Sequence, residues 1–193
     1  MIAVLSLFLS TGPAFAGDHE LPACAASPDA DAQAELTALY DAREDVDPGA
    51  TGKRLKSTWK LYKKGLICTA DDHYKAGLLL LASRKPEVLE AAHGLAMVAT
   101  HQHVDRSRWL VMNAMDRWQI ALGQPQPFGT QVGQGGMCLY PIAATYTDDD
   151  RKAWGGKPIE SVYAEYLKTR NIDDPPNATT FNDRNLFCRL DSW

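Results

Sequence analysis

Between Asp31 and Leu122, apolar residues recur every three or four positions in five successive stretches, separated by breaks of only a few residues. Stripes of this period are buried only if consecutive helices fold back on one another, so the pattern predicts stacked antiparallel helix hairpins. The first helix reads from Asp31 to Asp45, with Leu36, Leu39 and Tyr40 on one stripe, and Pro48 and Gly49 read as its stop. The second runs from Lys53 to Lys64, with Leu55, Trp59, Tyr62 and Leu66 at helical spacing and Gly65 closing it. Thr69 or Asp71 is placed to cap a third helix reaching Leu81, and Pro86 opens a fourth. Val88, Ala91, Ala92, Leu95, Ala96 and Ala99 give that fourth helix a small-residue face suited to close packing. A fifth spans Arg106 to Leu122, with Asp105 as its expected cap and Gly123 as its stop.

After Pro127 the period changes. Phe128 to Val132 and Met137 to Ile142, flanking the glycine-rich run Gly133 to Gly136, read as a small β-hairpin. Asp148 to Trp154 and Pro158 to Lys168 read as helices again, and Asp173 to Thr180 as a loop. The expected fold is therefore mainly α: stacked helix hairpins, a small β-hairpin and C-terminal helices.

Residues 1–16 carry an apolar stretch from Ile2 to Leu9, a break at Gly12 and Pro13, and the small-x-small site Ala14-Phe15-Ala16, as in a cleaved signal peptide. No Lys or Arg precedes the apolar run, so a late start or a trimmed leader is expected. The stretch is too short to span a bilayer, which needs roughly 20 apolar residues. Residues 17–193 are then expected to form one domain in the periplasm or outside the cell. Cys24, Cys68, Cys138 and Cys188 all lie in that part, and none forms a Cys-x-x-Cys pair. An even count in an exported chain predicts two disulfides. Of the three connectivities, Cys24 with Cys68 and Cys138 with Cys188 is favoured, because each bridge then closes a loop within one half of the chain.

The net charge of -4 and pI near 5.7 argue against a nucleic-acid partner. His101, His103 and Asp105, with His93 upstream, suggest a metal at first sight. However, His101 and His103 point about 200° apart on a helix, so a solvated helix end is expected, and neither metal nor cofactor is predicted. Asp71 with Asp72, and Asp148 to Asp150, read as helix caps rather than as an acid-base pair. No phosphate-cradling glycine loop and no Gly-x-Ser-x-Gly elbow occurs, so no nucleophile can be named. Arg117 shares a face with Leu110, Ala114 and Ala121, which predicts a partly buried guanidinium seeking acceptors among Gln126, Thr130 and Gln131. Two roles follow: a pin holding the glycine-turn segment to the helices, or the wall of a polar cleft receiving a carboxylate or a sugar-like ligand. Lys53, Arg54, Lys56, Lys60, Lys63 and Lys64 are read as a basic face that could meet an anionic envelope surface.

The stretch Asp116 to Gln131, DRWQIALGQPQPFGTQ, resembles the motif of a bacterial domain-of-unknown-function family. That family is recognised by an Asp-Arg pair and a Gly-x-Pro-Gln-x-aromatic-Gly-Thr-Gln segment. The matching positions are Asp116, Arg117, Gly123, Pro125, Gln126, Phe128, Gly129, Thr130 and Gln131. A looser likeness covers about residues 35–160, with an echo at Asp150, Arg151, Gly155 and Pro158. The resemblance implies a helical domain ending in the Gly-Thr-Gln hairpin and implies no established activity. Many members carry Gln-His where Leu81 and Ala82 stand here. The expectation is a non-catalytic domain that binds an unknown protein or a small polar ligand, with Asp116, Arg117, Gln126, Thr130, Gln131 and His93 as candidate residues. A hydrolase-like enzyme built on Asp116 and Arg117 is the alternative, and a structural protein docking by the basic face 53–64 is a second.

Overall fold

A computed structural model describes Pro22, Cys24 and residues 28–193, and the expected leader lies outside the described residues. Among the described residues eight α-helices follow in order: α1 (Ala30–Asp41), α2 (Pro48–Lys63), α3 (Ala70–Leu80), α4 (Pro86–His101), α5 (Ser107–Ala121), α6 (Asp148–Ala153), α7 (Ile159–Thr169) and α8 (Ala178–Asp183). None is long and apolar enough to cross a membrane.

The helix starts follow local hydrogen bonding. Thr69 and Asp72 form a reciprocal capping box at α3, and Thr147 and Asp150 form another at α6, while Asp71 pairs with Lys75 and Asp148 accepts from Arg151 and the Ile159 amide. Pro48, expected to end the first helix, instead opens α2 as its first residue, behind Asp47, whose carboxylate accepts from the Ala50 amide. A proline at this position loses no intrahelical bond, and its fixed φ suits the helix. Asp105 does not cap α5. It is exposed, and the helix starts after Arg106, which takes a left-handed backbone (φ 72°) and sets its guanidinium over the Tyr74 ring. A further short helix, α8, replaces part of the expected loop, capped by the Asn177 side chain at the Thr180 amide.

Helix α4 lies at the centre, packed against both α3 and α5, while α3 also meets α1 and α2. Its face of Ala91, Ala92, Leu95, Ala96 and Ala99 is almost wholly excluded from solvent, which lets the neighbouring backbones approach closely. A second cluster joins Tyr163, Tyr166 and Leu167 of α7 to Phe181 of α8, with Leu139 and Leu186. Both disulfides form as expected, Cys24–Cys68 and Cys138–Cys188.

The β-hairpin is not present: among the described residues there is no strand, only the isolated bridges Gln126 with Ile142, Val132 with Leu139, and Leu139 with Phe187. Side chains have taken the backbone groups that a ladder would use. Asp116 accepts from the amides of Phe128 and Thr130, and Gln126 takes the amide of Gln131 and the carbonyls of Gln131 and Tyr140. What survives of the hairpin is the antiparallel bridge of Val132 with Leu139, in which the Gly133 amide donates to the Cys138 carbonyl and the Tyr140 amide to the Gln131 carbonyl, around a 3-10 turn at Gln134–Gly136.

Overpacking the central helix is expected to be felt at once. Ala92→Leu should cost about 2 kcal/mol, read as a lower urea midpoint, whereas Met97→Leu, at a site 37% exposed, should leave the midpoint where it is. Equal midpoints for the two variants would show that α4 is not closely packed.

Candidate functional site

Asp116 and Arg117 are neighbours on α5, and their side chains serve different parts of the segment that follows. Asp116 is fully buried. Its Oδ1 accepts from the Phe128 amide at 2.8 Å, and its Oδ2 accepts from the Thr130 amide at 2.7 Å and the Thr130 hydroxyl at 2.8 Å. These bonds draw residues 128–130 onto the helix. Gly129 lies between them with φ 76°, and a Cβ there would come within 2.7 Å of Val162 on α7, so only glycine allows the approach. Gly133 has the same constraint against the Cys138–Cys188 sulfurs, at 2.5 and 2.7 Å.

Gln126, also fully buried, acts as a plug. Its Nε2 donates to the carbonyls of Gln131 and Tyr140, and its Oε1 accepts from the Gln131 amide. Arg151, 2% exposed, holds the other flank: its Nε donates to the Pro127 carbonyl, its Nη2 to the Ala143 carbonyl and its Nη1 to Asp148. A sequence reading finds Arg151 only as an echo of the family motif, because its acceptors lie up to 24 residues away.

Arg117 is half-buried. Its Nη1 donates to Gln131 Oε1 at 3.2 Å, and its guanidinium carbon sits 4.9 Å from the centroid of the Trp193 ring. Trp193 reaches this position on the tail tied down by Cys138–Cys188, and it packs edge-on against Tyr140. Arg117 Nε and Trp193 Nε1 are both buried and meet no hydrogen-bond partner among the described residues. No carboxylate pairs with Arg117 among them either. Burial holds its pKa below the ordinary guanidinium value, and the nearby charge of exposed Arg84 pushes it the same way. Trp193 and Arg84 carry no sequence signal, since their roles follow from where the tail and the α3–α4 link return in space.

Of the candidate residues, Asp116, Arg117, Gln126, Thr130 and Gln131 come together. His93 does not join their hydrogen bonds. It faces Trp118 across α4 and α5, with ring centroids 5.9 Å apart, and burial pushes its pKa down to about 4. His101 and His103 are exposed at the end of α4. Arg54 departs from the expected basic face: it is buried, donating to the Asp45 carbonyl and to Thr51 Oγ1. No protein-family model, no characterised protein and no solved structure matches this chain.

Burial raises the Asp116 pKa to about 7, against the opposing pull of its three donors and of Arg151. The folded state therefore holds a proton there that the unfolded chain releases at about pH 4. That stabilisation is complete below about pH 4 and is lost as pH rises through 7. His93 has the opposite sign: the unfolded chain takes up a proton near pH 6.5 that the folded state refuses until about 4, so its contribution is lost as pH falls across that window. The two slopes oppose each other between about pH 4 and 6.5. Relative to the wild type, His93→Gln should gain stability as pH falls, by up to about 3 kcal/mol. Asp116→Asn should lose about 1–3 kcal/mol at neutral pH, because the amide cannot satisfy donors on both sides, and should lose more as pH falls. Urea titrations at a series of pH values read both, and curves parallel to the wild type would remove the titration argument.

Proposed function

We propose that this chain is an exported, non-catalytic binding domain whose cleft between α5 and residues 126–131 holds a small polar ligand bearing a carboxylate. The observation that carries this reading is the surplus of donors around Arg117. The guanidinium bonds to a single amide oxygen, its buried Nε has no acceptor among the described residues, and the Trp193 ring beneath it carries a buried indole N–H that has none either. Buried donors are nearly always satisfied, so an acceptor-rich anion is the chemistry that completes such a group. The Trp193 ring adds a flat apolar wall for the body of the ligand.

Asp116 supports binding over hydrolysis. Its two oxygens are occupied by three donors and fully shut off from solvent, so it has no way to reach a substrate proton. The two disulfides suit an oxidising compartment, which agrees with export to the periplasm or beyond. The Asp-Arg and Gly-Thr-Gln resemblance coincides with the residues that build this cleft.

The test is a thermal-shift series with citrate, gluconate, glucuronate and glucose on the wild type, Arg117→Lys and Arg117→Ala. At least one of the acids should raise the wild-type melting temperature saturably and glucose should not, and both variants should lose the response. Arg117→Ala should cost only about 1 kcal/mol, the worth of a stacked cation and one amide bond. A wild type unmoved by every acid, or a shift retained without the guanidinium, would reduce Arg117 to an anchor.

A further inference from the structure

The charges of this chain are segregated. Residues 48–70 hold six of its lysines and arginines and no Asp or Glu, so this segment carries +6 while the remainder carries -10, with 14 basic against 24 acidic residues. Most of the segment is α2. At about 100° per residue, Lys53, Lys56, Lys60, Lys63 and Lys64 fall within an arc of about 100°. The buried residues Arg54, Thr58, Leu61 and Tyr62 occupy the opposite arc. All five lysines are exposed, and among the described residues none makes an ion pair or a side-chain hydrogen bond. They run for about 16 Å along one side of the molecule. Trp59, half-buried and stacked on Tyr62 with centroids 5.0 Å apart, borders this stripe, with half-buried Leu55 close by.

We propose that the lysine stripe of α2 docks this protein on an anionic phospholipid surface, independently of the cleft at Arg117. Three features favour a lipid surface over a soluble polyanion. Lysines are compact charges that respond to a diffuse field, whereas the one arginine of the helix, the residue suited to forked phosphate recognition, is turned into the core. The stripe lacks interleaved exposed aromatics on which bases could stack, since Tyr62 is buried and Trp59 is stacked on it. A flat surface engages the stripe alone, while a flexible polyanion that wraps the protein also meets many of the 24 acidic residues and is repelled.

The test is co-sedimentation of the oxidised chain from Gly17 onward with phosphatidylcholine vesicles, with and without phosphatidylglycerol, at low and high salt. Binding should require phosphatidylglycerol and low salt. The triple variant K56Q/K60Q/K63Q should bind about a hundredfold more weakly, at about fivefold per lysine near a charged surface. The control K152Q/K168Q, altered at two exposed lysines of α6 and α7, should bind like the wild type. Circular dichroism melting should be the same for both variants, since no packed side chain changes. Equal binding to neutral vesicles, an unaffected triple variant, or binding to soluble polyphosphate with none to vesicles would each overturn the proposal.

Discussion

A single carboxylate, buried at Asp116 and shared by the amides of Phe128 and Thr130 and the Thr130 hydroxyl, organises the half of the molecule that follows the helices. Burial makes each of these donors costly to leave unmet. Once residues 128–130 are drawn onto α5, Gln126 and Gln131 fall into register beside them and α7 can settle on Gly129. Phe128 then completes an apolar cluster with Met112 and Met115, so the polar knot and the packing around it support each other.

Two further clamps close the same region from outside. Arg151 ties α6 to the carbonyls of Pro127 and Ala143, and the Cys138–Cys188 bridge returns the C-terminal tail so that Trp193 lies against Arg117. The outcome is a polar region with two characters. Around Asp116 and Arg151 most donors and acceptors are matched, which makes a brace. Around Arg117, donors outnumber acceptors and no carboxylate among the described residues offsets the positive charge. Adjacent residues on one helix thus differ sharply in how fully they are satisfied.

Much of the helical half was legible in the residues. The alanine face of α4, the cap at Thr69 and both disulfide pairings could be read because each rests on spacing within a few residues or on a simple division of the chain. The readings at Pro48, at Asp105 and over the loop 173–180 missed by a few positions, because a proline or a polar side chain can either end one element or begin the next. The hairpin reading failed for a deeper reason. Alternation over 128–142 suits a strand, but the amides it would pair are taken by Asp116, 12 and 14 residues earlier, and by Gln126.

By itself the sequence determined most of the helical stretches and the start of α3, and that four cysteines, the Arg117 guanidinium and a run of lysines would need places to go. These properties depend on neighbours one or two turns away. Only the tertiary structure decided that Arg54 turns inward while its lysine neighbours stay in water, that His93 meets Trp118 instead of the glycine segment, and that Trp193 forms the floor beneath Arg117. A buried polar group is satisfied by whichever partner the fold brings within about 3 Å, and that choice is made by packing between distant segments, which no local pattern encodes.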